Sequence, residues 1–522
     1  MKTLRTLAIF ALLLIPSANY AWKNRDVPGF GKLHDDALLF VSAKSLATGQ
    51  GFRILSLPEQ PAQTKYPVLY PLFLSVIWRL NPNFPSNLNL ASALSWPLFV
   101  LALALAWIYW KGESLPRSRV LIVTAILAIS PYLILFGCTL FSEVFFLCWL
   151  LGALLAARQP SLKMVAFAGL LAGCAYLSRT AGIALLVSMP ASYLWKRDLR
   201  RAIAFAAGML PFILGWGLWS ATHKFHSSTP TLLYYTDYVK FQFLNVDLHN
   251  FLIVLWKDTD ALLYSIGSLV LPQVIALEPV KILTQVIAVA MISGTIRLAR
   301  NGIAIPYALF ALVSSLMLIV WHFPPTERFV LPIFPLLAAG LVTELEHLID
   351  MLRAAFRHKD ASQRAVAGVF ALIVFAIFGS ALALQLFMTF KAMPGQAAED
   401  RAHLADTKQT YSWIAQNLPP EAGILSNDDP LLYLYTGHRG NSAPLLPRWW
   451  YAGDHASLVG FFANIVPYCR DRGFEYLLST SSDMSRWTGE EDAQAVQRVI
   501  QKNPQLEAIH TGSDGATIYR IR

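Results

Sequence analysis

The chain of 522 residues is 55% hydrophobic and only 14% charged, with a formal charge of +10 and a mean hydropathy of +0.47. Soluble domains carry about 25% charged residues, so this composition excludes an ordinary soluble domain. The positive charge belongs to the loops of a membrane protein rather than to nucleic-acid binding, because no basic helix interleaved with exposed aromatics accompanies it.

Residues 1–21 set Lys2 and Arg5 ahead of an apolar run that ends in small residues near Ala21. A cleaved signal peptide has this form, but an uncleaved first span near 4–20 agrees better with the loops that follow. Further spans are predicted near 88–110, 119–137, 141–157, 163–178, 180–195, 202–220, 281–298, 303–321, 329–347 and 366–390, roughly eleven in all. Each must be helical, because hydrocarbon offers the backbone no other hydrogen-bond partners. On this path the basic loops all fall on one side. They hold Lys111, Arg117 and Arg119; Arg158 and Lys163; Lys196, Arg197, Arg200 and Arg201; Arg297 and Arg300; and Arg353, Arg357, Lys359 and Arg364. That side is the cytoplasm. The path holds only if two apolar stretches lie at the outer interface instead of crossing. They are 67–80, bounded by Pro67 and Pro71, and 250–276, interrupted by Lys257, Asp258 and Asp260.

The outer side then receives the loop 22–66, the segment 221–280, the turns 138–142, 178–180 and 322–328, and everything after 391. The last segment changes character. It reads as a helix near 399–417, a strand at 423–426, a helix at 456–472, a strand at 475–480, a helix at 490–502, and strands near 506–510 and 516–521. The expected architecture is mainly α: a polytopic transmembrane bundle over 1–391, followed by a small non-cytoplasmic α/β domain over 392–522. Cys138, Cys148 and Cys174 lie in apolar segments, Cys469 stands alone near the end, and no Cys/His pattern suggests zinc.

Chemistry concentrates at the outer ends of the spans. The first outer loop carries His34-Asp35-Asp36. Adjacent acids suit a general base or a metal ligand, or they cap the helix that begins there. The loop ends in Lys65-Tyr66-Pro67-Val68-Leu69-Tyr70-Pro71. Lys65 there suits a lipid phosphate or an interfacial lysine among aromatics; Tyr66 and Tyr70 are further candidates. Ser142-Glu143 opens a span with a carboxylate, an expensive placement unless the charge is paired or wet. Arg179 and Arg328 face outward against the positive-inside bias, so each calls for an anion or an acidic partner. For Arg179 that partner is Glu143 or a ligand anion; for Arg328 it is Glu327 or the ligand. His322 reads as an interfacial histidine or a ligand-binding one. A lipid or sugar transporter remains an alternative, although transporters place their polar residues at mid-membrane in broken helices. An O-antigen ligase or polymerase is another, although its main outer loop would be expected late in the membrane domain.

The pattern resembles the GT-C class of glycosyltransferases that use polyprenyl-phosphate-linked sugars, and is similar to bacterial protein O-mannosyltransferases and lipid A aminoarabinose transferases. The residues that carry the resemblance are Asp35-Asp36 with Ala43 and Gly49-Gln50-Gly51, Lys65 to Pro71, Ser142-Glu143, and Arg328 ahead of Pro332 and Pro335. Two positions depart from the pattern: the second acid is Asp rather than Glu, and Glu143 stands where the aminoarabinose transferases have Asp. The resemblance implies inverting transfer to an acceptor hydroxyl at the outer face of the cytoplasmic (inner) membrane. It makes Asp35 the base, with Asp36 orienting it or ligating a divalent metal. Lys65, Arg328 and Arg179 would contact the donor phosphate, and Glu143 would face the acceptor or a metal. The acceptor is a protein, lipid or glycan; the other partners are the polyprenyl-phosphate sugar and membrane lipids.

Overall fold

The computed structural model describes residues 2–113, 115–227, 229–242, 248–272, 277–321, 323–357, 361–444, 446–480 and 483–522. Every apolar stretch expected to span is helical. Among the described residues, five helices are long and apolar enough to cross a membrane. They are Asn87–Gly112, Leu199–Thr222, Glu278–Arg300, Glu327–Phe356 and Ala361–Asn417. The protein is a multi-pass membrane protein.

The expected span 119–137 is two helices, Arg117–Ile129 and Pro131–Gly137, bent by 63°. Ser130 between them is extended, as a residue before proline is biased to be, and its Oγ accepts the Leu133 N–H at 3.5 Å. Counted as one span, the pair raises the number of crossing helices to six. Other expected spans form the shorter helices Glu143–Ala157, Leu162–Ser178, Thr180–Trp195 and Ile305–Ile319. The 15 residues of Glu143–Ala157 rise only about 22 Å, against about 30 Å of hydrocarbon. The two stretches expected at the interface are the helices Leu69–Leu80 and Leu248–Ser268.

The chain divides into two compact units, each built from separate stretches of the sequence. One comprises Met1–Arg25, Ser92–Leu214 and Asp258–Gln396; the other comprises Asp26–Ala91, Gly215–Lys257 and Ala397–Arg522. In the first, helices pack through small residues. A Cβ on Gly294 would collide with the Gly340 carbonyl, and one on Gly340 with Met291 and Thr295, so the helices that carry these glycines touch backbone to backbone. Arg297 in the last turn of one helix pairs with Glu344 on the other at 3.2 Å.

In the second unit the C-terminal segment forms a five-stranded sheet: β1 (Gly423–Leu425), β2 (Gly440–Asn441), β3 (Phe474–Ser479), β4 (Leu506–Thr511) and β5 (Thr517–Ile521). The strand order is β2-β1-β3-β5-β4. β1 pairs in parallel with β2 and β3, and β5 runs antiparallel to β3 and β4. Its apolar core includes Leu425, Trp449, Leu458, Phe462, Ile465, Leu477, Val496 and Tyr519. The expected strands and the helix at 490–502 are present. The expected helix 456–472 is interrupted at Asn464 into His455–Ala463 and Ile465–Asp471. β2, of two residues, and the helix Asp429–Thr436 that connects β1 to it had no expected counterpart.

Candidate active site

Glu143 is the first residue of its helix and is fully buried. A carboxylate is favoured there by the helix dipole, but burial demands more, and two arginines supply it. Arg179 Nη1 lies 2.5 Å from Glu143 Oε1, and Arg328 Nε donates to the same oxygen. Arg179 Nη1 also donates to Ser142 Oγ at 3.2 Å. The Arg328 guanidinium sits 4.6 Å from the Phe141 ring centre, and Arg179 sits 5.8 Å from that of Phe329. Glu143 Oε2 is buried with no hydrogen-bond partner among the described residues. Arg179 takes Glu143, one of the partners expected for it, and Arg328 also takes Glu143, which was not among those expected for it. Glu327, the acid considered for Arg328, accepts the Ser268 hydroxyl at 2.8 Å. The three side chains begin or flank helices and carry a surplus of one positive charge. His322 lies outside the described residues.

The first outer loop belongs to the other unit. Asp35 and Asp36 open the helix Asp35–Ala47, whose cap residue, His34, makes no side-chain cap bond. Asp35 Oδ1 accepts the Tyr66 hydroxyl proton. Burial, and next the Asp35 charge, hold the Tyr66 phenol well above its ordinary pKa, so Tyr66 stays a donor. Asp36, 2% exposed, binds backbone on both sides. Oδ2 accepts the Gly31 N–H at 3.0 Å and Oδ1 that of Ala37 at 3.0 Å, which closes the loop onto the helix start. The capping alternative thus describes part of what Asp36 does, and Asp35 faces Tyr66 instead.

Lys65 is buried among tyrosines. Its Nζ lies 3.3 Å from the ring centre of Tyr234, 4.7 Å from that of Tyr238 and 5.0 Å from that of Tyr66, an arrangement that stabilises an ammonium in a partly dry site. Tyr70 is buried and stacks on Phe73 at 6.1 Å.

His34 leads to residues the sequence did not single out. Its Nε2 lies 3.0 Å from the Tyr235 hydroxyl and 3.1 Å from Asp429 Oδ1. Asp429 also accepts the Tyr235 hydroxyl at 2.6 Å and, through Oδ2, that of Ser56 at 3.2 Å. Beside it, burial and then the Asp483 charge push the Asp428 carboxyl up to about 6. Asp483 is itself raised by burial, against hydrogen bonds that include those from Thr480. The signal for these acids was Asn427-Asp428-Asp429-Pro430 directly after a strand, where loop residues of α/β sheets often serve a site. For the divalent metal that the resemblance allows, the described residues hold no group of three or more His, Cys, Asp or Glu side chains able to bind one. The acids of this loop and of the sheet are met instead by hydroxyl, backbone and imidazole groups.

No family model matches the chain, and no curated protein matches it significantly in sequence. Solved structures do. The oligosaccharyltransferase of Archaeoglobus fulgidus, in its apo form, is 13% identical with a TM-score of 0.52, covering 94% of this chain and 72% of that one. ArnT of Cupriavidus metallidurans, bound to undecaprenyl phosphate, is 14% identical with a TM-score of 0.49, covering 93% of each chain. The mycobacterial arabinofuranosyltransferase AftD is 15% identical with a TM-score of 0.43, covering 98% of this chain and 41% of that one. The chain has a GT-C-like fold.

Proposed function

We propose that the protein is an inverting glycosyltransferase that moves a sugar from a polyprenyl-phosphate carrier to an acceptor hydroxyl at the outer face of the cytoplasmic membrane. The observation that carries this reading is the pairing of a base candidate with a cation candidate through one tyrosine. Tyr66 gives its hydroxyl to Asp35 and its ring face to Lys65. The fold, and the occurrence of Asp35 and Glu143 as the first residues of helices rather than in mid-span breaks, support a transferase over a transporter.

In this reaction Asp35 takes the acceptor hydroxyl proton as the oxygen attacks the anomeric carbon, and the polyprenyl phosphate leaves from the opposite side. Tyr66 fixes the carboxylate without competing as a proton source, because its own pKa is raised. Lys65 opposes the charge that develops on the leaving phosphate. Arg179 and Arg328, paired with Glu143, are a second group with cations to offer an anion.

The test is sugar transfer from a polyprenyl-phosphate donor in membranes at matched expression. Asp35→Asn keeps the size and an acceptor for Tyr66 but removes the basicity, and should lower turnover by about 10²–10⁴-fold. Asp36→Asn retains an acceptor for the Gly31 N–H and should lose less. Near-wild-type transfer by Asp35→Asn rejects Asp35 as the base; an inactive Asp36→Asn beside it moves the role one residue along.

A further inference from the structure

The parallel part of the sheet has a topological switch point. From β1 the chain crosses through Asp429–Thr436 to β2 on one side, while β3 lies on the other. In open α/β sheets the crevice at the carboxyl ends of two such strands is the usual place for a ligand. Here Asp428 and Asp429 follow β1, and Asp483 follows β3. At Asp429 the chain itself reaches this crevice: His34 of the first outer loop lies 3.1 Å from it.

His34 directly precedes Asp35 and has φ of +63°, a left-handed backbone that a non-glycine residue keeps only when its surroundings hold it. Asp429 is fully buried and is the first residue of its helix, and the Tyr235 and Ser56 hydroxyls fix its carboxyl in place. With Nε2 as the donor to Asp429, His34 presents Nδ1 as the acceptor, and Nδ1 is buried with no hydrogen-bond partner among the described residues. The loop is also held around this point. Gly440 N–H donates to Ser56 O at 3.0 Å, Arg472 pairs with Glu59 at 2.5 Å, and Lys32 pairs with Asp400 at 2.6 Å. A Cβ on Gly31, at φ +88°, would press on Leu431 at 3.0 Å.

We propose that Asp429 is a positioning residue for Asp35: acting through His34, it makes the C-terminal segment part of the catalytic loop's geometry. This rests on the reading of Asp35 as the base. The C-terminal sheet then serves as a clamp, its ligand crevice filled by the loop that bears the acid pair.

The test is amide hydrogen exchange of the full-length protein in detergent, comparing wild type with Asp429→Asn, Asp429→Glu and His34→Gln. Asp429→Asn keeps one oxygen as the acceptor for Tyr235 but replaces the oxygen that accepts from Ser56 with an NH2 donor, and removes the carboxylate that holds His34. Amides of 30–38 should exchange about tenfold faster or more, while those of β4 and β5 stay unchanged. His34→Gln should reproduce the effect, and Asp429→Glu should recover part of it. Unchanged exchange at 30–38 in Asp429→Asn overturns the proposal. So does equal loosening of β4 and β5, which would mean only that the sheet is destabilised. The sugar-transfer assay of Asp35→Asn tests the underlying reading separately: near-wild-type transfer there removes Asp35 as the base and with it the positioning role, while the exchange result, and the clamp as a structural contact, stand.

Discussion

In the unit of membrane helices, one buried carboxylate, Glu143, is shared by two arginines. In the unit of loops and sheet, several carboxylates gather with hydroxyls and one imidazole: Asp36, Asp429 and Asp483 are buried there, and Asp428 sits among them. The two groups are held by different physics. Arg179 and Arg328 are held by the one carboxylate they share, two formal positive charges on one negative, a cationic group suited to an anion. The acids of the second unit are held by directed donors, Tyr66 on Asp35, Gly31 N–H on Asp36, and Tyr235 and Ser56 on Asp429. Directed bonds fix orientation, which a base needs; surplus charge provides affinity, which a phosphate site needs.

That contrast can be broken most forcefully at Glu143. Glu143→Gln leaves two largely buried guanidinium groups without their counter-charge and should cost about 3–5 kcal/mol of stability, read as a lowered thermal midpoint of the purified protein in detergent. A midpoint equal to that of wild type would mean that the arginines are neutralised elsewhere.

A smaller effect is expected where the positive groups are asked to bind. Lys65→Ala and Arg328→Ala should each weaken undecaprenyl-phosphate binding by about 1.5–3 kcal/mol. Arg328→Lys should recover only part, because a point charge replaces a planar fork. Unchanged affinity in both alanine variants would remove the donor-phosphate role from both residues.

The smallest effect separates the acid-rich unit by pH. The folded state raises the Asp428 carboxyl from 3.8 to about 6, so between these values the folded chain binds more protons than the unfolded one. Stability from this group is therefore full below about 4 and is lost as pH rises to about 6, with a slope of at most about 1.4 kcal/mol per pH unit. Asp428→Asn should flatten that part of the stability–pH curve. The same slope in the variant would assign it to another group.

Local pattern was enough to find the helices and most of the sheet. Asn87–Gly112 and Leu199–Thr222 are legible because a long apolar run has one low-energy backbone in hydrocarbon. β3, β4 and β5 are legible because alternation and flanking turn residues act within a few positions. The break at Ser130 is written in Pro131, but the apolar run continues through it, so hydropathy does not mark it. β2 has two residues, too few for any periodicity, and it exists because β1 offers it an edge. The candidate site residues stand out as residue types at span ends; Glu143 was among the partners expected for Arg179, but Tyr66 for Asp35 and Asp429 for His34 were not.

The sequence by itself determined that this is a membrane protein of many helices with a small α/β segment at its end, and that acids, a lysine and two arginines stand beside those helices. Hydropathy and charge act over single turns and short loops, so a linear reading captures them. Only the tertiary structure decided that Glu143 takes both arginines, that Lys65 lies against Tyr234 and Tyr238, and that His34 meets Asp429. It also decided that the segments 26–91 and 215–257 pack with 397–522. Such pairings join residues far apart in the chain, and which of many chemically equivalent partners is chosen depends on how the helices and the sheet pack.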